Sequence, residues 1–412
     1  MPRLRRLMIG GSIVATAVLA PAVPAAAVTV SAGLPIARAD EAVSPTAGGS
    51  NDYFNSDSCT SGAFCMAVGA YNLGGHAHGL SEMLRGEKWV PEPVPSPARG
   101  VNVFANEISC ASPASCLFVG DHWAGRKGPA ANLAETWNGS SWRIVTATGP
   151  AGSAISGLDD VACPTTRFCL AVGFAGPSRR SQNTAYTWTN GKTWRRISVP
   201  RPTGARNSEL GGLACFDSSN CMAVGNYQNR AGHDVPFAAR WHNGRWRLLA
   251  TPAVRRQRDT SFQGISCPTV TLCMAVGNTE DNTRGRYFHA FAEVWTNGKW
   301  HVSTLRRSPS LFLGASCPTR NRCFAAGYTF PSPTTFARPL IETWNGLTWT
   351  TQHAVQTAAP RAGDVMAHVS CVNRSDCVAA GDRFKPSVSN NTQTLAEMWN
   401  GHRWTVQATA NP

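Results

Sequence analysis

Along most of the chain, short apolar runs alternate with polar, Gly- and Pro-rich turns. No stretch sustains the three-to-four-residue spacing of an amphipathic helix. The pattern predicts many short strands, and it repeats. Seven times a cysteine, five residues, a second cysteine and a small apolar run ending in glycine recur. The copies are Cys59/Cys65 (CMAVG), Cys110/Cys116 (CLFVG), Cys163/Cys169 (CLAVG), Cys215/Cys221 (CMAVG), Cys267/Cys273 (CMAVG), Cys317/Cys323 (CFAAG) and Cys371/Cys377 (CVAAG). They use all 14 cysteines, and successive leading cysteines lie 51, 53, 52, 52, 50 and 54 residues apart. A period near 50 marks a repeat architecture whose units bury their apolar faces against one another.

The second half of each unit repeats as well. AETWNGSSW (134–142), AYTWTNGKTW (185–194), AARWHNGRW (238–246), AEVWTNGKW (292–300), IETWNGLTW (341–349) and AEMWNGHRW (396–404) share a Trp, an Asn-Gly turn and a second Trp. The first copy is degenerate, SEMLRGEKW (81–89), and of the 14 tryptophans only Trp123, placed in a variable loop, falls outside the pattern. Each unit thus reads as four strands: one ending at the leading cysteine, one through CxAVG, one through AExW and one from the trailing Trp. Asn-Gly between strand signals predicts a type I′ hairpin, which needs φ > 0 at both central residues. The Trp pairs, five apart, are expected opposite each other on one face. Trp188 and Trp194 are six apart, which predicts a bulge.

Four antiparallel strands at this period describe a propeller blade, and seven blades fit the chain from Ser56 onward. The expected fold is therefore all-β: a seven-bladed β-propeller, with a β-helix or paired sandwiches as rivals. Alternation of large residues (Met274, Val276) with Ala and Gly fits sheets buried on both faces.

The N-terminus reads as a secretory signal peptide over residues 1–39. Arg3, Arg5 and Arg6 precede the apolar run 7–20, and cleavage is expected after Ala27 or Ala39. Residues 40–55 read as a flexible lead-in and 56–412 as the propeller. No later segment has the roughly 18 apolar residues of a membrane span. Export makes paired cysteines disulfides. Zinc pairs usually sit two to four residues apart, so seven bridges within blades are expected, Cys59–Cys65 through Cys371–Cys377, with no metal and no cofactor.

The SCx5CxAVG and AExWNGxxW strings resemble those of uncharacterised secreted β-propeller proteins of actinobacteria, a likeness that implies the fold and almost no activity. NGKTW (190–194) and NGLTW (345–349) are also similar to the end of the Asp-box of sialidase-like propellers. There Trp188 or Thr189, and Trp344, stand where the defining Asp would be.

Strand parity divides the molecule into two faces. The Cx5C and Asn-Gly hairpins share a regular face. The loops after AVG and the links between blades share the opposite, variable face, where binding on a rigid scaffold is expected. That face is basic. Arg126, Lys127, Arg179, Arg180, Arg255, Arg256, Arg258, Arg284 and Arg286 are the candidate ligand-binding residues, with Arg201, Arg206 and Arg230 among their neighbours. Acids there are fewer: Asp121, Asp234, Glu280, Asp281, Asp364 and Asp382. The formal charge of +14 draws anionic partners: an extracellular polysaccharide, an envelope polymer or nucleic acid.

Catalytic signals are poor. His76 and His78 lack a third ligand in sequence, and Asp159-Asp160 and Glu280-Asp281 point to opposite faces if extended. Glu82, Glu135, Glu293, Glu342 and Glu397 recur before the third-strand Trp or its Leu84 equivalent, a recurrence expected of a structural bond to nearby backbone. No G-x-S-x-G, P-loop or H-E-x-x-H string occurs. The sequence thus favours a secreted monomeric binding or scaffold module. The alternative is a glycan-active hydrolase or lyase, in which carboxylates or histidines from several blades would converge at the central channel.

Overall fold

A computed structural model describes residues 50–125, 128–177, 180–252, 259–281, 287–305, 308–330, 336–355, 363–385 and 391–411. Its strands form seven four-stranded antiparallel sheets, each in simple chain order. With strands lettered A to D from the axis outward, blade 1 comprises Ser50–Ser61, Phe64–Leu73, His76–Arg85 and Lys88–Pro91. Blades 2 to 7 follow at 101–144, 155–197, 207–249, 259–303, 310–352 and 363–407. Each A strand packs on the A strands of its two neighbours, blade 7 against blade 1 included, and this closes the ring. Among the described residues no helix is long and apolar enough to cross a membrane.

All seven expected disulfides are present, one per blade. They are Cys59–Cys65, Cys110–Cys116, Cys163–Cys169, Cys215–Cys221, Cys267–Cys273, Cys317–Cys323 and Cys371–Cys377. Each spans the A–B hairpin of its blade, with Cα atoms 3.9–4.1 Å apart. The two ends of a bridge differ in setting. The trailing cysteines Cys65, Cys116, Cys169, Cys221, Cys273, Cys323 and Cys377 are all buried on the B strand. Of the leading ones only Cys317 is as deeply covered. Seven such bridges favour an oxidising, extracellular environment.

Every A strand carries a bulge at the fourth residue before its leading cysteine: Asn55, Asn106, Asp159, Gly211, Gln263, Leu313 and Ala367. The bulge explains the glycine of AVG. The kinked A strand leans a carbonyl over the B strand, so a Cβ on Gly277 would sit 2.0 Å from the Ser261 oxygen. The equivalent clash, 1.9–2.2 Å, recurs at Gly69, Gly120, Gly173, Gly225, Gly327 and Gly381. Alternation of large and small residues suits a sheet buried on both faces, but at this glycine the close contact is not with a neighbouring blade. The obstacle is the adjacent strand of its own blade.

The paired tryptophans lie opposite each other as expected, with ring centroids 5.6 Å apart for Trp137/Trp142, Trp241/Trp246 and Trp399/Trp404. Two details differ. Trp188 pairs directly with Trp194 and Thr189 with Thr193, without a register shift, so the extra residue lengthens the turn rather than bulging the strand. Positive φ at both Asn and Gly occurs in the WxNGxW turns (Asn243 at 47° and Gly244 at 85°). In WNGxxW the asparagine side chain closes the turn instead: Asn345 Oδ1 accepts the Leu347 and Thr348 N–H groups, both at 2.9 Å. Strand A of blade 1 starts at Ser50, six residues before the expected start of the propeller. Trp123 is not in a loop. It belongs to strand B of blade 2 (Ser115–Ala124), pairs with Asn102 and Ala130, and donates from Nε1 to Asp121.

Candidate functional site

Side-chain bonds between strands and between blades fix the two faces. On the regular side, the leading Trp donates its indole N–H to a Cys-loop carbonyl of its own blade: Trp137 to Pro113, Trp241 to Ser218 and Trp399 to Arg374 at 3.1–3.3 Å. The Cx5C and Asn-Gly hairpins therefore share a face, as parity requires. On the variable side, an N–H at the start of a C strand reaches a side chain at the start of the next blade. Ala77 donates to Asn102 Oδ1 at 2.9 Å and Asp234 to Asp259 Oδ1 at 2.8 Å.

Of the nine basic candidates, Arg126, Lys127, Arg179, Arg255, Arg256, Arg258, Arg284 and Arg286 lie outside the described residues; Arg180 is described and exposed. It belongs to a patch at the junction of blades 3 and 4. Ser181, its neighbour, accepts from the Ser208 N–H at 3.1 Å, and the Arg206 N–H donates to Gln228 at 2.8 Å. Arg201 Nη2 holds the link by donating to the carbonyls of Ala205 and, at 3.2 Å, Arg206. The Arg230 guanidinium lies beside Gly204, 3.9 Å from where a Cβ there would stand. Arg180, Arg201, Arg206 and Arg230 are all exposed.

The acids of the same face are placed differently. Asp121, Asp364 and Asp382 are 4%, 1% and 3% exposed. Asp121 accepts from Trp123 and Asn106, and Asp364 pairs with Arg383 Nε at 3.4 Å. Burial, with the nearby Asp364 charge, holds the Asp382 carboxyl well above its ordinary range. These three acids therefore do little to offset the arginine field at the surface.

Nearer the axis, the third residue before each leading cysteine forms a ring that the sequence reading missed: Ser56, Glu107, Asp160, Gly212, Gly264, Gly314 and His368. On the glycine arc, backbones approach so closely that a Cβ on Gly264 would lie 3.0 Å from the Gly314 Cα. The polar arc forms a network. His368 Nδ1 lies 3.0 Å from Asp57 Oδ1 and its Nε2 lies 3.5 Å from Glu107 Oε1; Ser56 donates to the same Glu107 oxygen. Asp160 Oδ2 accepts the Leu213 N–H at 2.7 Å. Small Ser56 lets His368 of blade 7 reach past blade 1 to blade 2. Burial raises the Asp57 carboxyl, against the opposing bond and charge of His368. Aligning the repeats on their cysteines exposes this ring as one column.

Carboxylates and a histidine from three blades thus do converge near the axis. A general acid or base needs an atom within reach of a substrate. Here both imidazole nitrogens face carboxylates, and the side chains of Asp57, Glu107 and His368 are 0%, 6% and 17% exposed. The arrangement clamps blades 7, 1 and 2 together.

The recurrent glutamates divide by their neighbours. Glu82 Oε2 accepts the Ala410 N–H and Glu397 Oε2 the Val355 N–H, both at 3.0 Å. Each donor sits six residues beyond the trailing Trp of the preceding blade. In the blades preceding Glu135 and Glu293 that position is Pro95 and Pro252, which have no N–H. Among the described residues, both oxygens of Glu135 and of Glu293 are buried without a hydrogen-bond partner. Burial accordingly pushes Glu293 up to about 8 and Glu135 well above its ordinary range. Of the histidine pair, His78 stacks on Tyr71 with centroids 5.3 Å apart, and its Nε2 lies 3.3 Å from the Leu73 carbonyl.

No protein-family model matches the chain, and no curated protein does. Solved structures similar to it are propellers. The propeller domain of the Trilobed protease from Pyrococcus furiosus, described as having an open velcro topology, aligns at TM-score 0.51 and 8% identity, covering 86% of this chain and 97% of that one. YCF48 from Cyanidioschyzon merolae aligns at TM-score 0.47 and 13% identity, covering 84% and 99%. The six-bladed, fucose-recognising lectin of Aleuria aurantia aligns at 0.44 and 10%, covering 87% and 96%. At these identities the likeness bears on fold alone.

Proposed function

We propose that this protein is a secreted binding module that takes an anionic polymer across its variable face. The supporting observation is the junction of blades 3 and 4, where Arg180, Arg201, Arg206 and Arg230 stand exposed; elsewhere on the variable face Asp121, Asp364 and Asp382 are buried. Exposed guanidinium groups carried on a rigid ring suit sulfate, phosphate or carboxylate groups spaced along a chain. The resemblance of the repeats to secreted actinobacterial propellers agrees with action outside the cell. The test is binding of dextran sulfate and of single-stranded DNA over a salt series. Each neutralised charge releases a counterion, so three or four engaged arginines predict a loss on the order of tens-fold between about 50 and 200 mM salt. Affinity independent of salt would refute the reading.

A further inference from the structure

A groove of about 930 Å³ opens on the outer rim between blades 5 and 6, away from the arginine patch. It is walled by strand D of blade 5 (Lys299–Ser303) and by strand D of blade 6 (Trp349–Gln352) with the turn before it. Five trailing tryptophans, Trp89, Trp142, Trp246, Trp300 and Trp404, are 3–8% exposed, whereas Trp194 and Trp349 are half-buried, and Trp349 lines the groove. Trp349 is held from two sides. Its Nε1 donates to Ser303 Oγ at 2.9 Å across the seam, and its ring stacks on Phe312 with centroids 5.8 Å apart. What it offers the groove is apolar ring surface in a fixed orientation. Val302, 50% exposed, and Leu347, 89% exposed, extend that surface.

Polar groups lie close to this platform. Glu342 accepts from Thr351 Oγ1 at 3.3 Å, and His301 and His353 are exposed on the same groove. No lysine or arginine is among the described lining residues. An ordered indole beside carboxylate, hydroxyl and imidazole groups suits a ligand with an apolar C–H face and a rim of hydroxyls. We infer that the groove is a second binding site, specific for a neutral pyranose unit of a glycan, and independent of the anion-binding face.

The inference is tested with methyl α-glucoside, α-mannoside and β-galactoside, and with immobilised dextran, mannan and galactan, in about 0.5 M salt to suppress charge-driven binding. At least one neutral sugar should bind, and binding should fall at least tenfold in Trp349→Ala and several-fold in Glu342→Ala and His353→Ala. Arg206→Ala should bind the sugar as the parent does, while losing affinity for dextran sulfate. Trp349 supports Phe312, so the exposed His353→Ala variant, with its melting temperature, separates site from fold. Absence of neutral-sugar binding, or binding that survives Glu342→Ala and His353→Ala unchanged, would overturn the inference and leave the anion-binding proposal untouched.

Discussion

Ser370 Oγ, in the last blade, accepts a hydrogen bond from the Cys59 N–H, in the first, at 3.0 Å. The same bond links other neighbouring blades. The serine before a leading cysteine accepts the N–H of the next leading cysteine at Ser58–Cys110, Ser109–Cys163, Ser266–Cys317 and Ser316–Cys371, at 2.9–3.0 Å. Blades 3 and 4 carry Ala162 and Ala214 there. Among the described residues no blade exchanges a strand, and the seam between blades 7 and 1 carries this ladder, the His368 clamp and the tail, where the Trp89 N–H donates to Ala408 at 2.9 Å. Ser370→Ala should cost about 1–3 kcal/mol by orphaning the Cys59 N–H, and chemical denaturation would measure it. An unchanged midpoint would show that the seam does not need the bond.

The AVG glycine should be the least replaceable small residue in the molecule. Gly277→Ala places a Cβ 2.0 Å from the Ser261 carbonyl and should cost roughly 3 kcal/mol or more, since backbone must move. Gly298→Ala, in an open turn at φ 77°, should cost only about 1 kcal/mol from backbone strain. Melting temperatures of the two variants provide the comparison.

The unpartnered glutamates predict a pH dependence. Burial raises the folded-state pKa of Glu293 from 4.5 to about 8. The folded protein therefore holds a proton that the unfolded chain releases, and this contribution, complete below about pH 4.5, is lost as pH rises through 8. Glu82 and Glu397, raised to about 7 by burial, act in the same direction. Glu293→Gln should melt higher than the parent at pH 8 and nearly equally at pH 4.5. A Gln variant that melts lower at pH 8 would show that the carboxylate has a partner.

Trp295, 5% exposed, pairs with Trp300 at 5.7 Å, and its replacement by Ala should cost about 3–5 kcal/mol. Trp123→Ala should cost less, though more than a loop residue would, because Trp123 packs on Phe104 and bonds Asp121. Equal losses would contradict the assignment of the repeat tryptophans to the core.

Blade number, strand order, disulfide pairing and the two faces were all legible in the sequence, because each depends on features repeated in register: Cx5C, AVG and the Trp pair. The bulge was not. It falls on Asn55, Gly211, Leu313 and Ala367 alike, so backbone geometry sets it and no side-chain signal betrays it. The axial network was hidden for another reason. Ser56, Glu107 and His368 are far apart in sequence and become neighbours only when the ring closes. Proline at positions 95 and 252 was visible, but its effect on Glu135 and Glu293 required knowing which backbone the other glutamates bind. The WNGxxW and WxNGxW turns looked alike because both place Trp five residues from Trp, while a one-residue offset changes how asparagine is used.

The most direct test of the functional account is a charge-removal comparison on opposite faces, read as dextran sulfate affinity at low salt. Arg180→Ala, Arg206→Ala and Arg230→Ala combined should weaken binding at least tenfold, and neutralising Arg255, Arg256 and Arg258 should weaken it further. Arg143→Ala, Arg245→Ala and Arg403→Ala combined, at positions exposed beside the Asn-Gly turns of the regular face, remove the same charge and should leave affinity within about twofold. Equal losses from the two faces would contradict a dedicated anion-binding surface.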